Sequence, residues 1–214
     1  MKHWVFDLDG TLVDTARQYA EYIAVVLDES KVKYDDHTLQ KAYNFFNPEE
    51  YFQKHFAHQI DAKLAVQKLI QINKDKAHEV TCFDGILELL HYLNQNEVKI
   101  SIWTGREIST TKEILKCTGI EKYVHMLVSR SCVERNKPYP DGLLKILTES
   151  KEHGDDTLMI GDHEYDMQGA RAAKVKAISV SWGPAPHQTA SNLSDWHFHK
   201  VQDLHNWAQK NISK

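Results

Sequence analysis

From Gly85 onward the chain alternates short apolar runs with segments of helical period. That rhythm belongs to βαβ units wound around a parallel sheet. Residues 98–103, 124–128, 157–160 and 177–180 read as strands, and residues 86–94, 107–118, 140–150 and 166–173 as the helices between them. Residues 196–211 add one short strand and an amphipathic closing helix. A similar strand opens the chain, where His3-Trp4-Val5-Phe6 runs into Asp7-Leu8-Asp9-Gly10-Thr11. A buried parallel strand that ends in two carboxylates, a glycine and a threonine delivers acid groups to the edge where open α/β sheets bind ligands.

The stretch between the opening strand and Gly85 has a different period. Residues 15–31 place Ala16, Tyr19, Ala20, Ile23, Val26 and Leu27 at helical spacing, with Thr15 or Asp14 as the cap. From 35 to 78 the apolar residues again recur at three and four, through Leu39, Ala42 and Tyr43, then Tyr51, Phe52 and Phe56, then Leu64, Ala65, Leu69, Ile70 and Ile72. Asn47-Pro48 marks a helix start, because proline's missing amide proton costs nothing in the first turn. No strand is expected between 35 and 78. The expected architecture is α/β, a Rossmann-like doubly wound, mainly parallel sheet with an inserted all-α domain. Residues 1–13 and 80–214 would form the core and residues 14–79 the insertion.

The 214 residues, 42% hydrophobic, suffice for one good core plus a small accessory domain. With 26 basic against 30 acidic residues spread along the chain, nothing resembles a nucleic-acid-binding stripe, and a small anionic substrate needs a local positive site. Cys82, Cys117 and Cys132 lack close metal-ligand spacing and read as reduced structural thiols. No apolar stretch approaches a membrane span, and the first run breaks at Asp7, so no signal peptide is expected and the cytoplasm is the expected compartment. The sequence sets no oligomeric state.

Three strand ends carry groups suited to chemistry: Asp7 and Asp9, Thr104 and Gly105, Gly161 and Asp162. Right-handed crossovers bring such ends to one edge of a sheet. Clustered carboxylates repel unless a cation sits among them, and hard oxygen ligands favour Mg²⁺. The Thr104 hydroxyl, the Gly105 amide and the Lys137 ammonium are donors for phosphate oxygens. The set suits phosphoryl transfer, where catalysis is mostly positioning and charge neutralisation. Taken singly, Asp9-Gly10 is an ordinary turn, Lys137 a solvated lysine, and Asp162 or Asp166 a helix cap.

Asp7-Leu8-Asp9-Gly10-Thr11, Thr104-Gly105, Lys137-Pro138-Tyr139-Pro140-Asp141 and Gly161-Asp162-His163-Glu164-Tyr165-Asp166 resemble, in order, the four motifs of the haloacid dehalogenase-like hydrolases. The phosphoglycolate phosphatase-like branch, with its small helical cap after the first motif, is the most similar. The resemblance implies that Asp7 is a nucleophile forming an aspartyl-phosphate, and that Asp9 is the general acid and then the general base. It implies that Thr104, Gly105 and Lys137 hold the phosphoryl oxygens. Mg²⁺ would be bound by Asp7, the Asp9 main-chain carbonyl and Asp162, with Asp166 orienting that shell. The implied activity is Mg²⁺-dependent hydrolysis of a small phosphorylated metabolite, a phosphoric monoester.

The alternatives are a sugar-phosphate mutase, a pyrophosphatase of the same family, and a non-catalytic phosphate-binding or regulatory protein. A dehalogenase does not need the acid at Asp9, and phosphonate cleavage needs a cap lysine. His163 and Arg106 depart from the branch's usual residues; His163 is expected to pack beside its loop, and no zinc site is expected among the thirteen histidines. Specificity is expected in the insertion, where Arg17, Lys41, Lys54, His55 and His58 are cations within reach of an anion. The aromatic group Tyr43, Phe45, Phe46, Tyr51, Phe52 and Phe56 reads as the insertion's own core. Trp182-Gly183 resembles a loop near the site.

Overall fold

Strand β1 (His3–Phe6) buries all four of its side chains, because it is paired in parallel on both sides. The structure is a computed structural model that describes residues 1–42, 47–57, 59–183 and 188–212, without the side chains of Arg17, Gln40, Gln188 and Thr189. After β1 the chain runs through β2 (Val13–Asp14) and four helices, α1 (Ala16–Glu29), α2 (Asp36–Lys41), α3 (Pro48–Phe56) and α4 (Ala62–Asp75). It then forms β3 (Thr81–Cys82), α5 (Ile86–Gln95), β4 (Lys99–Trp103), α6 (Ile108–Thr118), β5 (Met126–Val128), α7 (Asp141–Ser150) and β6 (Thr157–Gly161). The last part is α8 (Glu164–Ala172), β7 (Lys176–Val180), α9 (Gln188–Ser191), β8 (Trp196–Phe198) and α10 (Val201–Asn211).

Six strands form one sheet in the order β5-β4-β1-β6-β7-β8, and every pair is parallel. This is the doubly wound α/β core that the alternation predicts. The register sets the site. Phe6 lies opposite Ile102 on one side and Ile160 on the other, so the ends of β1, β4 and β6 stop level with one another.

Alternation along β1 builds two apolar layers. Trp4 and Phe6 face α5 and α10 with Leu89, Leu90, Leu93 and Leu204. Val5 faces the other way, among Trp103, Leu143, Ile146, Met159 and Met167. The polar exception is His3, whose Nε2 lies 2.7 Å from Ser101 Oγ and whose Nδ1 lies 3.4 Å from Ser150 Oγ. Burial pushes its pKa down to about 4.

The four helices between β2 and β3 have their own core, in which Tyr22, Ile23, Leu27, Tyr51, Phe52 and Leu69 are buried. Asn47 caps α3 by accepting the Glu49 amide at 3.0 Å, and Pro48 takes the first helical position as the sequence predicts. Tyr51, Phe52 and Phe56 pack within this core, whereas Tyr43, Phe45 and Phe46 lie outside the described residues.

Two features depart from the sequence reading. β2 and β3 form a two-residue antiparallel ladder, Val13 opposite Cys82 and Asp14 opposite Thr81, which the sequence reading does not mark. Two residues are too short to show a period. Thr15 stands at the N-cap position of α1 but makes no side-chain cap bond, because its hydroxyl is committed to Asp9. Among the described residues, no helix is long and apolar enough to cross a membrane.

Candidate functional site

The level ends of β1, β4 and β6 deliver Asp7, Thr104 and Asp162 to one place. Carboxylate oxygens of Asp7, Asp162 and Asp166 lie within 4.8 Å of one another, all three side chains being buried. Gly10, at φ 77°, turns the chain just after Asp9, so that its amide meets Val13 O at 2.9 Å and the Thr11 hydroxyl donates to Asp162 at 3.1 Å. Asp166 comes from the first turn of α8, where its Oδ2 accepts the His163 amide at 3.1 Å. It tucks against Gly161, where any Cβ would overlap its carboxylate.

Lys137 enters from the loop before α7, across the cis Lys137–Pro138 peptide. Its Nζ lies 2.7 Å from Asp7 Oδ1, 2.5 Å from Asp166 Oδ1 and 4.9 Å from the centre of the Trp103 ring. Burial alone would push this ammonium down, yet Asp166 and Asp7 hold it above the usual lysine range. Burial raises Asp7 to about 7, with Lys137 pulling it down and Asp166 and Asp9 pushing it up. Burial, then Asp7 and Asp166, raise Asp162 well above an ordinary carboxyl. Three carboxylates against one ammonium leave a formal charge of −2 among hard oxygen donors. A divalent cation removes the cost of ionising them, so this donor set fits Mg²⁺.

Asp9 lies outside that triad, and its side chain turns to Arg106 and Thr15. Arg106 Nε donates to Asp9 Oδ2 at 3.0 Å, Arg106 Nη2 to Oδ1 at 2.5 Å, and Thr15 Oγ1 to Oδ1 at 2.5 Å. Burial alone would raise the Asp9 carboxyl, but Arg106 and Thr15 hold it below the usual range. Arg106 also donates through Nη1 to Asn73 Oδ1 of α4 at 2.6 Å. One guanidinium therefore joins the acid of the first strand end to the helical insertion. The Arg106 amide donates to Thr104 Oγ1 at 3.1 Å, and Gly105 lies between them in the lining of the cavity.

The cavity above these groups has a volume of about 380 Å³. Asp7, Asp9, Thr104 and Asp162 line its base, and Tyr19, Pro48, Val66, Leu69 and Ile70 of the insertion line the opposite wall. Among the described residues its arginines, Arg106 and Arg130, come from the core, whereas Lys41, Lys54 and His55 are absent from the lining. The Arg17 side chain and His58 lie outside the described residues. His163 packs beside its loop at the N-cap of α8, where Nδ1 accepts the Tyr165 amide at 3.1 Å and the rings meet edge-on at 4.7 Å. Trp182 Nε1 donates to Thr11 O at 3.0 Å and so braces the first turn. The three cysteines are free thiols.

Sequence reasoning flags Arg106 only as a departure, reads Thr15 only as a helix cap, and passes over Asn73, Trp103 and Arg130 as site residues. Arg106 pairs with Asp9 across 97 positions, a contact that strand order sets and no spacing reveals. The placing of an arginine immediately after Thr104-Gly105 is the one local signal for it.

A family model described as haloacid dehalogenase-like hydrolase matches residues 4–180. A pyrophosphatase PpaX from Listeria monocytogenes is 25% identical over 220 residues, covering 94% of this chain and 93% of that one. A hydrolase from Pseudomonas syringae superposes with a TM-score of 0.82 at 23% identity, over 100% of both chains. A haloacid dehalogenase-like family protein from Streptococcus pneumoniae superposes with a TM-score of 0.83 at 23% identity, over 97% of this chain and 98% of that one. Four ordered motifs that converge on one strand edge, together with a family match over most of the chain, place this protein among the haloacid dehalogenase-like hydrolases.

Proposed function

We propose that this chain is a Mg²⁺-dependent phosphatase that hydrolyses a small phosphorylated metabolite through an aspartyl-phosphate. The observation that carries the reading is the buried meeting of Asp7, Lys137, Asp162 and Asp166 beneath an open cavity. In the first step Asp7 attacks phosphorus, the bond from phosphorus to the ester oxygen breaks, and Asp9 gives a proton to the departing oxygen. In the second step water attacks the phosphoryl group, Asp9 takes its proton, and the bond from phosphorus to Asp7 breaks to release phosphate.

Thr104, Gly105 and Lys137 hold the phosphoryl oxygens, and Asp166 keeps Lys137 in place. Asp7, Asp162 and the Asp9 carbonyl would hold Mg²⁺, which would supply charge neutralisation for the phosphoryl group. Residues 14–79 act as a cap that excludes water and contacts the leaving group. The reading includes a cytoplasmic setting, which the three free thiols support.

The test is phosphate release from a panel of monoesters with and without Mg²⁺. Asp7→Asn should abolish turnover while circular dichroism stays unchanged, and undiminished release by that variant sinks the reading. Pyrophosphate hydrolysis is the second reading, favoured by relatives that bear the name pyrophosphatase. Phosphoryl transfer to a sugar phosphate uses the same residues and is read in the same assay as turnover without phosphate release.

A further inference from the structure

We infer that the leaving group joins an apolar body to an anionic substituent, the body lying against α4 and the anion meeting Arg130. This rests on the phosphatase reading above and names the substrate class for that site.

The two halves of the cavity differ in chemistry. On the insertion side, Val66, Leu69 and Ile70 present carbon. The polar neighbour Asn73 is already committed on both ends of its amide, with Oδ1 accepting from Arg106 at 2.6 Å and Nδ2 donating to Leu69 O at 2.8 Å. Hydroxyls of a polyol pressed against Val66, Leu69 and Ile70 lose water without gaining partners there, and the Tyr19 hydroxyl on the same side offers one site against several, which disfavours a sugar. At about 380 Å³ the cavity falls in the size class of pockets that hold drug-sized molecules. Pyrophosphate, with no apolar part, leaves that wall unused.

On the core side Arg130 follows β5, and its amide donates to the Arg106 carbonyl at 3.3 Å, so the two arginines leave from adjacent backbone. Arg106 is spent on Asp9. Arg130 instead donates Nη2 to the neutral Asn47 Oδ1 at 2.6 Å, and among the described residues no carboxylate pairs with it. Of the acids that share the lining, Asp9 is held by Arg106, Asp7 and Asp162 belong to the buried cluster, and Glu107 caps α6, where it accepts the Ser109 amide at 2.7 Å and the Thr110 amide at 3.2 Å. A guanidinium facing a cavity, held by an amide oxygen and paired with no carboxylate among the described residues, matches a carboxylate or phosphate on the incoming molecule.

The experiment compares kcat/KM for 4-carboxyphenyl phosphate, phenyl phosphate, glucose 6-phosphate and pyrophosphate with Mg²⁺ present. The wild-type chain is expected to prefer the carboxylated aryl ester over phenyl phosphate by about tenfold, and both over the sugar ester. Arg130→Gln should bring the ratio of the two aryl esters close to one, Arg130→Lys should retain part of it, and Leu69→Asn should narrow the gap to glucose 6-phosphate. An aryl ratio unmoved by Arg130→Gln, or glucose 6-phosphate or pyrophosphate exceeding both aryl esters, overturns the inference. If no compound is turned over, the phosphatase reading fails by itself, and calorimetric binding of the two aryl esters decides this one. Arg130-dependent tighter binding of the carboxylated ester then upholds it, and equal binding overturns it.

Discussion

The Arg106 guanidinium grips the Asp9 carboxylate with two prongs, Nε at 3.0 Å and Nη2 at 2.5 Å, while its remaining nitrogen reaches Asn73 at 2.6 Å. A carboxylate held this way stays ionised and is ready to accept a proton. Giving one requires Asp9 to gain it first, against the pull of the arginine. The fork therefore favours the water-activating half of the proposed cycle, and it ties that half to contact between the core and α4.

Replacing Arg106 by Gln is expected to lower kcat/KM by roughly 10- to 100-fold, because Asp9 loses its orientation and α4 its tether. The acid limb of the pH–rate profile should also move to higher pH, since the positive charge that holds Asp9 ionised is gone. Arg106→Lys should move the limb less, keeping charge without the fork. An unmoved limb in Arg106→Gln contradicts this role.

Mg²⁺ should stabilise the fold, and Asp162 should decide whether it does. At free ion a hundredfold above its dissociation constant the gain is about 2.7 kcal/mol. Asp162→Asn should raise the Tm measured without metal, because it removes a carboxyl that burial, Asp7 and Asp166 make costly to ionise. The same variant should lose the Mg²⁺-induced rise. Calorimetric scans of both proteins with and without the ion check both parts.

Gly161→Ala tests the closest approach in the site. A Cβ at this position would overlap the Asp166 carboxylate, which is 1% exposed and has no room to retreat. The expected loss is about 2 kcal/mol or more in urea unfolding, with phosphate release falling alongside because Lys137 loses its anchor. Gly161→Ser, which is as crowded, should behave like Gly161→Ala.

His3 predicts a pH dependence of stability rather than of activity. Burial lowers its folded pKa to about 4 from the ordinary 6.5. Between those values the unfolded chain binds a proton that the folded chain refuses. The contribution is therefore complete above pH 6.5, is lost as pH falls towards 4, and levels off below that. Gln at this position keeps hydrogen-bonding capacity towards Ser101 without titrating. The stability of the wild-type chain relative to His3→Gln should fall by about 2 kcal/mol between pH 7 and pH 5, read by urea titration at each pH. Parallel curves would show that His3 does not titrate as its burial demands.

The sheet was legible because its strands are continuous apolar runs stopped by acid, glycine or threonine, as at Phe6-Asp7, Trp103-Thr104 and Ile160-Gly161. The convergence of Asp7, Thr104 and Asp162 follows from parallel order once those runs are found. The Arg106–Asp9 fork was not legible, since it depends on β4 lying beside β1 and on a side chain that crosses to its neighbour. Thr15 shows a different limit. Local rules assign it to a helix start, and it occupies that position, but a stronger acceptor six residues earlier takes its hydroxyl. The wall of the cavity was illegible for a third reason. Val66, Leu69 and Ile70 have the helical period of any packed helix, and only the tertiary structure tells that they border the cavity as well as the insertion's own core.

The short ladder of β2 and β3 has a consequence for how this chain can change. Entry to the helical insertion and exit from it are neighbouring rungs, Asp14 opposite Thr81 and Val13 opposite Cys82, a strand spacing of roughly 5 Å apart. Whatever is spliced between them meets the core through one doorway, and the entropy of closing that loop grows only slowly with its length. A tight turn joining Asp14 to Thr81 would leave the six-stranded sheet with no gap to bridge. A different helical module with adjacent ends would plug into the same socket and leave the six-stranded sheet beneath it unchanged.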